Sequence, residues 1–230
     1  YFAAAVALGA PDRRLAFAVP TGNFGNVYAA YAARKMGLGV TRLAIGSNAN
    51  DILTRFMESG TMETRPVAAT LSPAMDIQIA SNFERLLFDV YGGRKTTLVK
   101  VMERLRRDGR ADFGKGRWRR IRKVFASHRL DDAGTTAVMR RVHETTGVLV
   151  DPHSAIGIAA GEACRGDDGF GDAALVCIAT AHPAKFPDAV ETATGLRPAL
   201  PPRLADLQER RERCEVLPND LGAIADFVAR

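Results

Sequence analysis

The chain has 230 residues, of which 47% are hydrophobic and 25% charged, and its formal net charge is +6 at pH 7. This is the balance of a soluble globular protein with an ordinary core. No stretch approaches the roughly 20 apolar residues that span a bilayer, and no signal peptide is recognisable, so we expect no membrane partner.

The first sixty residues alternate strands with helices. We predict the end of a helix at 1–9, strands at 15–20 and 40–45, and helices at 27–36 and 52–57. The strands are short apolar runs, and a glycine follows each of the two later helices as a stop signal. The order strand–helix–strand–helix predicts a parallel sheet with helices on both faces.

The rest of the chain is predicted to hold further helices and one more strand. Residues 61–80 are loop-like, and helices are predicted at 82–91, 97–107, 131–142 and 155–163. The apolar run 173–179 is the clearest buried strand. The last 30 residues, which carry three prolines, are predicted to hold a charged helix and a final helix.

Positive charge is concentrated between residues 94 and 129, which hold 14 Lys/Arg and 3 Asp/Glu. A nucleic-acid-binding surface is one interpretation of such a segment. Only Phe113, Trp118 and Phe125 interleave with the charges, however, and no nucleic-acid-binding motif is present. A solvated basic insert is therefore favoured, and it could also attract an anionic substrate to a nearby cleft.

The three cysteines, Cys164, Cys177 and Cys214, are widely spaced and odd in number. This pattern fits neither a disulfide framework nor a zinc site. We therefore expect no metal, and reduced thiols in a cytoplasmic protein.

A glycine-containing turn between the first strand and its helix is the strongest candidate for a ligand site. Gly22 and Gly25 let the backbone approach a ligand closely. The first N–H groups of a helix lack intrahelical partners and favour an anion, so the turn can seat a phosphate. Asn23 and Asn26 add side-chain donors. On the glycines alone, an ordinary turn without ligand is an equal alternative.

Polar residues also follow the later buried strand. Thr180 could exchange one hydrogen bond with a heterocycle nitrogen, because the carboxyl ends of parallel strands line the ligand crevice. For His182 a hydrogen-bonded cap is favoured over a ligand-facing base. Lys185 is either a partner of an anionic substrate or a surface lysine, and His153 is favoured as a turn-shaping residue.

The segment VPTGNFGN at residues 19–26 resembles the phosphate-binding loop of the threonine synthases, pyridoxal-phosphate (PLP) enzymes of the tryptophan-synthase-β fold group. Five more segments resemble later signatures of that family, in the family's order: GSNAND at 46–51, TLSPAMDI at 70–77, SNFERLL at 81–87, DPHSA at 151–155 and TAHPAKF at 180–186. Their combination is specific, although any single match would be weak.

The resemblance implies a fold type II PLP enzyme, with a parallel twisted α/β sheet and flanking helices, N-terminally incomplete. It implies the conversion of O-phospho-L-homoserine and water to L-threonine and phosphate. Thr180 then meets the pyridine nitrogen of PLP. The resemblance also implies that the cofactor phosphate is bound by the backbone amides of Gly22, Asn23, Phe24, Gly25 and Asn26.

The same resemblance suggests ligands for a phosphorylated amino-acid substrate: Asp76, Asn82, Arg85 and Lys185. It also suggests a division of the chain. Residues 1–93 are expected to be the phosphate-binding α/β portion, 94–130 a basic helical insert, and 131–230 the remainder of the cofactor domain with C-terminal helices.

The sequence departs from the family in one respect that bears on catalysis. The Schiff-base lysine of the family lies upstream, in a Phe-Lys-Asp segment that these 230 residues lack. No catalytic residue is therefore assigned, and we expect the chain to be inactive without a missing N-terminal segment. A truncated product, a partial sequence and one half of a split enzyme all fit this pattern.

Two other functions stay open at this point. The chain could be a remnant that binds a phosphorylated ligand such as PLP without chemistry. More weakly, it could bind nucleic acid through residues 94–129, although we expect no nucleic-acid partner.

Overall fold

The computed structural model describes residues 1–229. The strands are β1 (Leu15–Pro20), β2 (Val40–Ser47), β3 (Thr61–Glu63), β4 (Arg110–Asp112), β5 (Phe125–Arg129) and β6 (Ala174–Cys177). The helices are α1 (Phe2–Ala7), α2 (Gly25–Lys35), α3 (Ile52–Ser59), α4 (Phe83–Val90), α5 (Lys95–Asp108), α6 (Lys115–Arg122), α7 (Asp132–Thr146), α8 (Pro152–Cys164), α9 (Pro187–Thr194) and α10 (Leu221–Val228). Two compact units result, Tyr1–Pro198 and a small unit that starts at Ala199.

Four strands form a parallel sheet in the order β5-β2-β1-β6. All six residues of the central strand β1 are buried, because helices cover both faces of the sheet. The predicted class, α/β with a parallel sheet and flanking helices, is confirmed.

Side chains of β1 alternate between two cores, as the period of a strand requires. Leu15, Phe17 and Val19 belong to the larger core, which includes residues of α2, α3 and α4. Ala16 and Ala18 face the other side, in a cluster with Cys164 of α8. Small side chains on this face let α8 lie close against the sheet.

The segment 94–130, expected as a basic helical insert, contains α5 and α6 but also two strands. β4 pairs antiparallel with β3, and β5 forms one edge of the main sheet beside β2. The strand β5 escapes prediction because only Phe125 and Ala126 of its five residues are buried, and basic residues precede it.

In the small unit, the predicted final helix is present as α10, whose N-cap residue Asp220 accepts a hydrogen bond from Ala223 N at 2.8 Å. The predicted charged helix is wrong. Residues 202–204 form a 3-10 turn, and the residues after it form turns and irregular structure. These residues are largely exposed, so no buried face stabilises a helix there. Within residues 1–229, no helix combines the length and apolar character needed to cross a membrane.

Candidate functional site

The site lies where β1 and β6 end. These strands are parallel neighbours, with Ala18 paired to Cys177, and Ile178 N donates to Ala18 O at 2.9 Å. The segments that follow them, 21–26 and 178–186, therefore leave the sheet at the same edge. This is the edge at which open α/β sheets bind ligands.

The loop 22–26 contains a strained residue at the start of α2. Phe24 has a left-handed backbone, with φ of 68°, and is the N-cap residue of the helix. Its ring is 1% exposed and lies edge-to-face on Phe83, at 5.0 Å between centroids, and 5.5 Å from Phe125. Burial of the ring holds a conformation that non-glycine residues rarely adopt.

Backbone donors of this loop are unpaired within the described part of the chain. None of the five N–H groups of residues 22–26 donates a hydrogen bond to a protein acceptor in residues 1–229. Phe24 is nevertheless a buried residue, and buried backbone donors almost always have a partner. A run of free N–H groups at a helix N-terminus fits an anion such as a phosphate.

Two glycines allow this loop to pack closely against later parts of the chain. A Cβ at Gly22 would lie 2.9 Å from Met75 Cα, and one at Gly25 would lie 3.2 Å from Asn82 Nδ2. A 3-10 turn at Pro73–Met75 and the start of α4 therefore border the loop.

The asparagine side chains of the loop are held by hydrogen bonds. Asn23 Oδ1 accepts from Ser81 N at 2.6 Å and from Ser81 Oγ at 2.8 Å. Asn26 Oδ1 accepts from the Tyr1 hydroxyl at 2.6 Å, and burial raises the pKa of that tyrosine, so it stays a donor. The side-chain oxygens thus fix the loop, and the amide nitrogens are left for a ligand.

Two predicted substrate residues lie on α4, next to the loop. Asn82 precedes the first residue of the helix, and its N–H donates to Asn23 O at 3.2 Å. Arg85 follows one turn later; it is exposed, with its guanidinium carbon 5.9 Å from the centre of the Tyr28 ring. The structure thus brings both residues to the side of the loop 22–26.

Asp76 is held in a network of its own. Its Oδ1 accepts from Asn48 Nδ2 at 2.8 Å, from Asn50 Nδ2 at 2.9 Å and from Thr70 Oγ1 at 2.6 Å. Its Oδ2 accepts from Thr70 N at 2.9 Å. These bonds anchor the segment that carries the turn at Pro73–Met75, and the assignment of Asp76 to substrate stays a prediction.

Thr180 and Lys185 follow β6. Both are exposed, and Lys185 Nζ lies 5.8 Å from the centre of the Phe186 ring. Thr180 N donates to Ser154 Oγ at 3.2 Å, which fixes its backbone and leaves its hydroxyl for a ligand. His182 Nδ1 accepts from Ala184 N at 3.1 Å, which is the capping role that the sequence favours for it.

Residues 151–155 form one of the signature segments, but the sequence alone did not predict that Asp151 and Ser154 position Thr180. Asp151 is fully buried at the N-cap of α8 and accepts from His153 N and His153 Nδ1, each at 2.9 Å, and from Ser154 Oγ. Burial by itself raises the pKa of Asp151, but hydrogen bonds from His153 and Ser154 bring it below its ordinary value. The signal in the sequence was an Asp-Pro pair opening a helix.

Two cavities, of about 500 and 670 Å³, lie elsewhere, and Arg14 and Thr41 line both of them. These residues stand at the amino ends of β1 and β2, at the opposite end of the strands from the loop 22–26. The cavities therefore do not belong to the site described above.

Several relatives of this chain are threonine synthases. A family profile described as "Threonine synthase, C-terminal" matches residues 154–228. Threonine synthase of Pseudomonas aeruginosa is 46% identical over 231 residues, which cover 100% of this chain and 49% of that protein. Threonine synthase of Saccharomyces cerevisiae is 38% identical over 201 residues, covering 80% of this chain and 39% of that protein.

Solved structures support the same relationship. The crystal structure of PLP-bound threonine synthase from Brucella melitensis superposes with a TM-score of 0.90 at 46% identity, covering 99% of this chain and 48% of that one. Threonine synthase from Escherichia coli superposes with a TM-score of 0.71 at 30% identity, covering 100% of this chain and 47% of that one. The chain is a threonine synthase homologue that spans about half the length of the threonine synthases it matches.

Proposed function

We propose that residues 22–26 bind the phosphate of PLP and that Thr180 faces its pyridine nitrogen, as one part of an enzyme that converts O-phospho-L-homoserine and water to L-threonine and phosphate. The observation that carries the proposal is the run of unpaired N–H groups in the loop, including that of the buried Phe24. The similar Brucella melitensis protein is PLP-bound.

The loop would hold the cofactor by its phosphate. The free N–H groups and the N-terminus of α2 present partial positive charge to an anion. Asn82 Nδ2, next to Gly25, would add a donor from the other side. When bound, PLP supplies an electron sink for proton removal and elimination; the protein binds and orients it.

Thr180 would orient the ring. Its backbone is fixed through Ser154 to the buried carboxylate of Asp151, so its hydroxyl is presented from a defined position. A neutral hydroxyl, unlike a carboxylate, leaves the ring nitrogen less protonated. We expect this to favour elimination and replacement over transamination.

The substrate phosphate would be bound by cations on either side of the site. Arg85 stands one turn into α4, and Lys185 follows β6. Both side chains are exposed and neither forms a salt bridge among residues 1–229. Asp76 would act through the turn at Pro73–Met75 that it anchors.

Turnover would require a lysine positioned over the cofactor carbonyl. We assign that lysine to the part of the enzyme that this chain does not match, which would be its partner. A chain that binds PLP but never supports turnover would instead be a non-catalytic PLP-binding remnant, and the second experiment below separates the two.

The first experiment is a PLP titration of the purified chain, followed by circular dichroism in the cofactor band. Gly25→Asp places a carboxylate in the phosphate seat and is expected to abolish binding. Gly39→Asp is the matched control, because no atom lies within 4 Å of a Cβ built there. If folded wild-type chain binds no PLP, or if both variants bind like wild type, residues 22–26 are not a phosphate seat by themselves.

The second experiment adds the part of Pseudomonas aeruginosa threonine synthase that this chain does not match. Phosphate release from O-phospho-L-homoserine in the mixture, absent from either component, would support the enzyme. Binding of PLP without phosphate release in a complex that forms would favour the remnant.

A further inference from the structure

Helix α6 is strongly cationic. Its eight residues include Lys115 and four arginines and no carboxylate. None of these five side chains forms a salt bridge among residues 1–229. Like charges this close along one helix destabilise it, so an anion bound beside α6 would relieve their repulsion.

A groove with a volume of about 550 Å³ lies between the end of α4 and the start of α6. Four cations line it, and no carboxylate does: Arg94, Lys115, Arg117 and Arg120. The volume lies within the range of small-molecule sites. Guanidinium groups suit phosphate because they can donate two parallel hydrogen bonds.

Two of the guanidinium groups are already oriented by the protein. That of Arg117 stacks on Tyr91, 4.2 Å from the ring centre, and Nη1 of Arg120 donates to Val90 O at 3.3 Å. Arg94 and Lys115 are exposed, so their side chains can close on a ligand. A site with part of its charge already positioned loses less entropy on binding.

The acidic groups near α6 are placed unevenly. At its start, Asp112 Oδ1 accepts from Gly114 N at 2.6 Å, outside the groove lining. On another side of the helix, Arg119 and Lys123 line the separate cavity of about 670 Å³ together with Asp167 and Asp168. That cavity is lined by five cations and two carboxylates, whereas the groove is lined by four cations and no carboxylate. Asp89 and Asp112 interact electrostatically with Arg120 and Tyr91, respectively, from outside the groove lining.

We propose that the groove between α4 and α6 is a second anion site, which takes a small phosphate-bearing molecule up to the size of a nucleotide. It is separate from the cofactor seat, the proposed phosphate site at residues 22–26. Asn82 borders that seat at the start of α4, and Val90 lines the groove at the end of the same helix. Eight helical residues separate them by about 12 Å. The proposal does not depend on the proposed function.

The test titrates the full chain with inorganic diphosphate and with ADP, using adenosine as the uncharged comparison. Trp118 is the single tryptophan of the chain and lies on α6, so its fluorescence reports locally; calorimetry gives the affinity. The variant Gly25→Asp is expected to lose anion binding at residues 22–26 and to keep the wild-type affinity for diphosphate at the groove, which the Trp118 signal follows.

The double variant Arg94→Gln/Lys115→Gln is expected to weaken diphosphate and ADP binding about tenfold or more, which is about 1.4 kcal/mol. The matched control, Arg119→Gln/Lys123→Gln, removes the same charge beside the other cavity and is expected to change affinity less than about twofold. All four side chains are exposed, and thermal melts verify the fold.

Equal weakening in both double variants would overturn the proposal, because it would mean that the anion responds to net charge alone. Loss of binding in Gly25→Asp would overturn it as well, since the ligand would then sit at the cofactor seat. The proposal would also be overturned if the chain bound a single-stranded oligonucleotide tightly but bound neither diphosphate nor ADP.

Discussion

Asn23 and Ser81 lie 58 positions apart and are joined by two hydrogen bonds, both to Asn23 Oδ1. One donor is the backbone N–H of Ser81 and the other is its hydroxyl. Together with the bond from Asn82 N to Asn23 O, they hold the loop 22–26 to the residues that precede α4. The side chain of Asn23 therefore has a structural role that is distinct from ligand binding.

Two substitutions at Asn23 should separate these roles. Asn23→Ala removes both acceptor contacts and is expected to lower the free energy of unfolding by about 1–2 kcal/mol. Asn23→Asp keeps the acceptor but adds a negative charge beside the cofactor phosphate, so it should stay close to wild type in stability and lose PLP affinity. Urea unfolding and PLP titration measure the two effects; an Asp variant with unchanged affinity would contradict the phosphate seat.

Strands and helices with a clear apolar pattern could be predicted from the sequence. The predicted strand 15–20 coincides with β1, and the predicted helix 52–57 falls within α3. β5 could not be predicted, because its strand character comes from pairing with β2. The same holds for β3 and β4, whose pairing joins residues about fifty positions apart.

In the candidate site, too, local features could be predicted and long-range contacts could not. Backbone features of the loop were predictable, since glycines in a strand–helix turn have a local signature. The fixation of Thr180 by Ser154 was not, because that contact spans 26 positions. The network around Asp76 likewise joins residues 48–50 to residues 70–76, two segments that only the fold brings together.

Asp151 should make stability depend on pH. Hydrogen bonds lower its pKa in the folded protein despite burial, so it stabilises the fold above the unfolded value of about 4 and loses that contribution as pH falls below it. Asp151→Asn is expected to cost about 1–3 kcal/mol at pH 7. The difference from wild type should shrink as pH falls below about 4 in urea unfolding. A difference independent of pH would mean that Asp151 is not ionised in the folded protein.

Gly157 sets how closely α8 approaches β1. A Cβ there would lie 2.8 Å from Pro20 Cδ. The clash is expected to outweigh the gain of about 1 kcal/mol in helix propensity, so Gly157→Ala should lower the free energy of unfolding by a net of about 1–3 kcal/mol. PLP affinity should fall too, since Pro20 leads into the loop. Thermal unfolding measures both variants. Gly39→Ala, in open space, should leave the stability unchanged or raise it. Equal effects of the two changes would contradict this close packing.

The left-handed backbone of Phe24 lowers stability and the burial of its ring raises it, and two substitutions can separate these effects. Phe24→Ala empties a site that is 1% exposed and keeps the left-handed strain, so a loss of about 3–5 kcal/mol is expected. Phe24→Gly loses the same ring but removes the strain, so it should be more stable than the alanine variant by about 1 kcal/mol.

Phe88→Ala is the control for removal of a phenyl ring, because Phe88 is 46% exposed; its loss should stay below about 1 kcal/mol. Urea unfolding of the three variants gives the free energies. Were Phe24→Ala more stable than Phe24→Gly, the left-handed turn would not persist without the ring. The buried aromatic cluster would then impose the loop conformation, and the free N–H groups would depend on Phe83 and Phe125 as much as on the glycines.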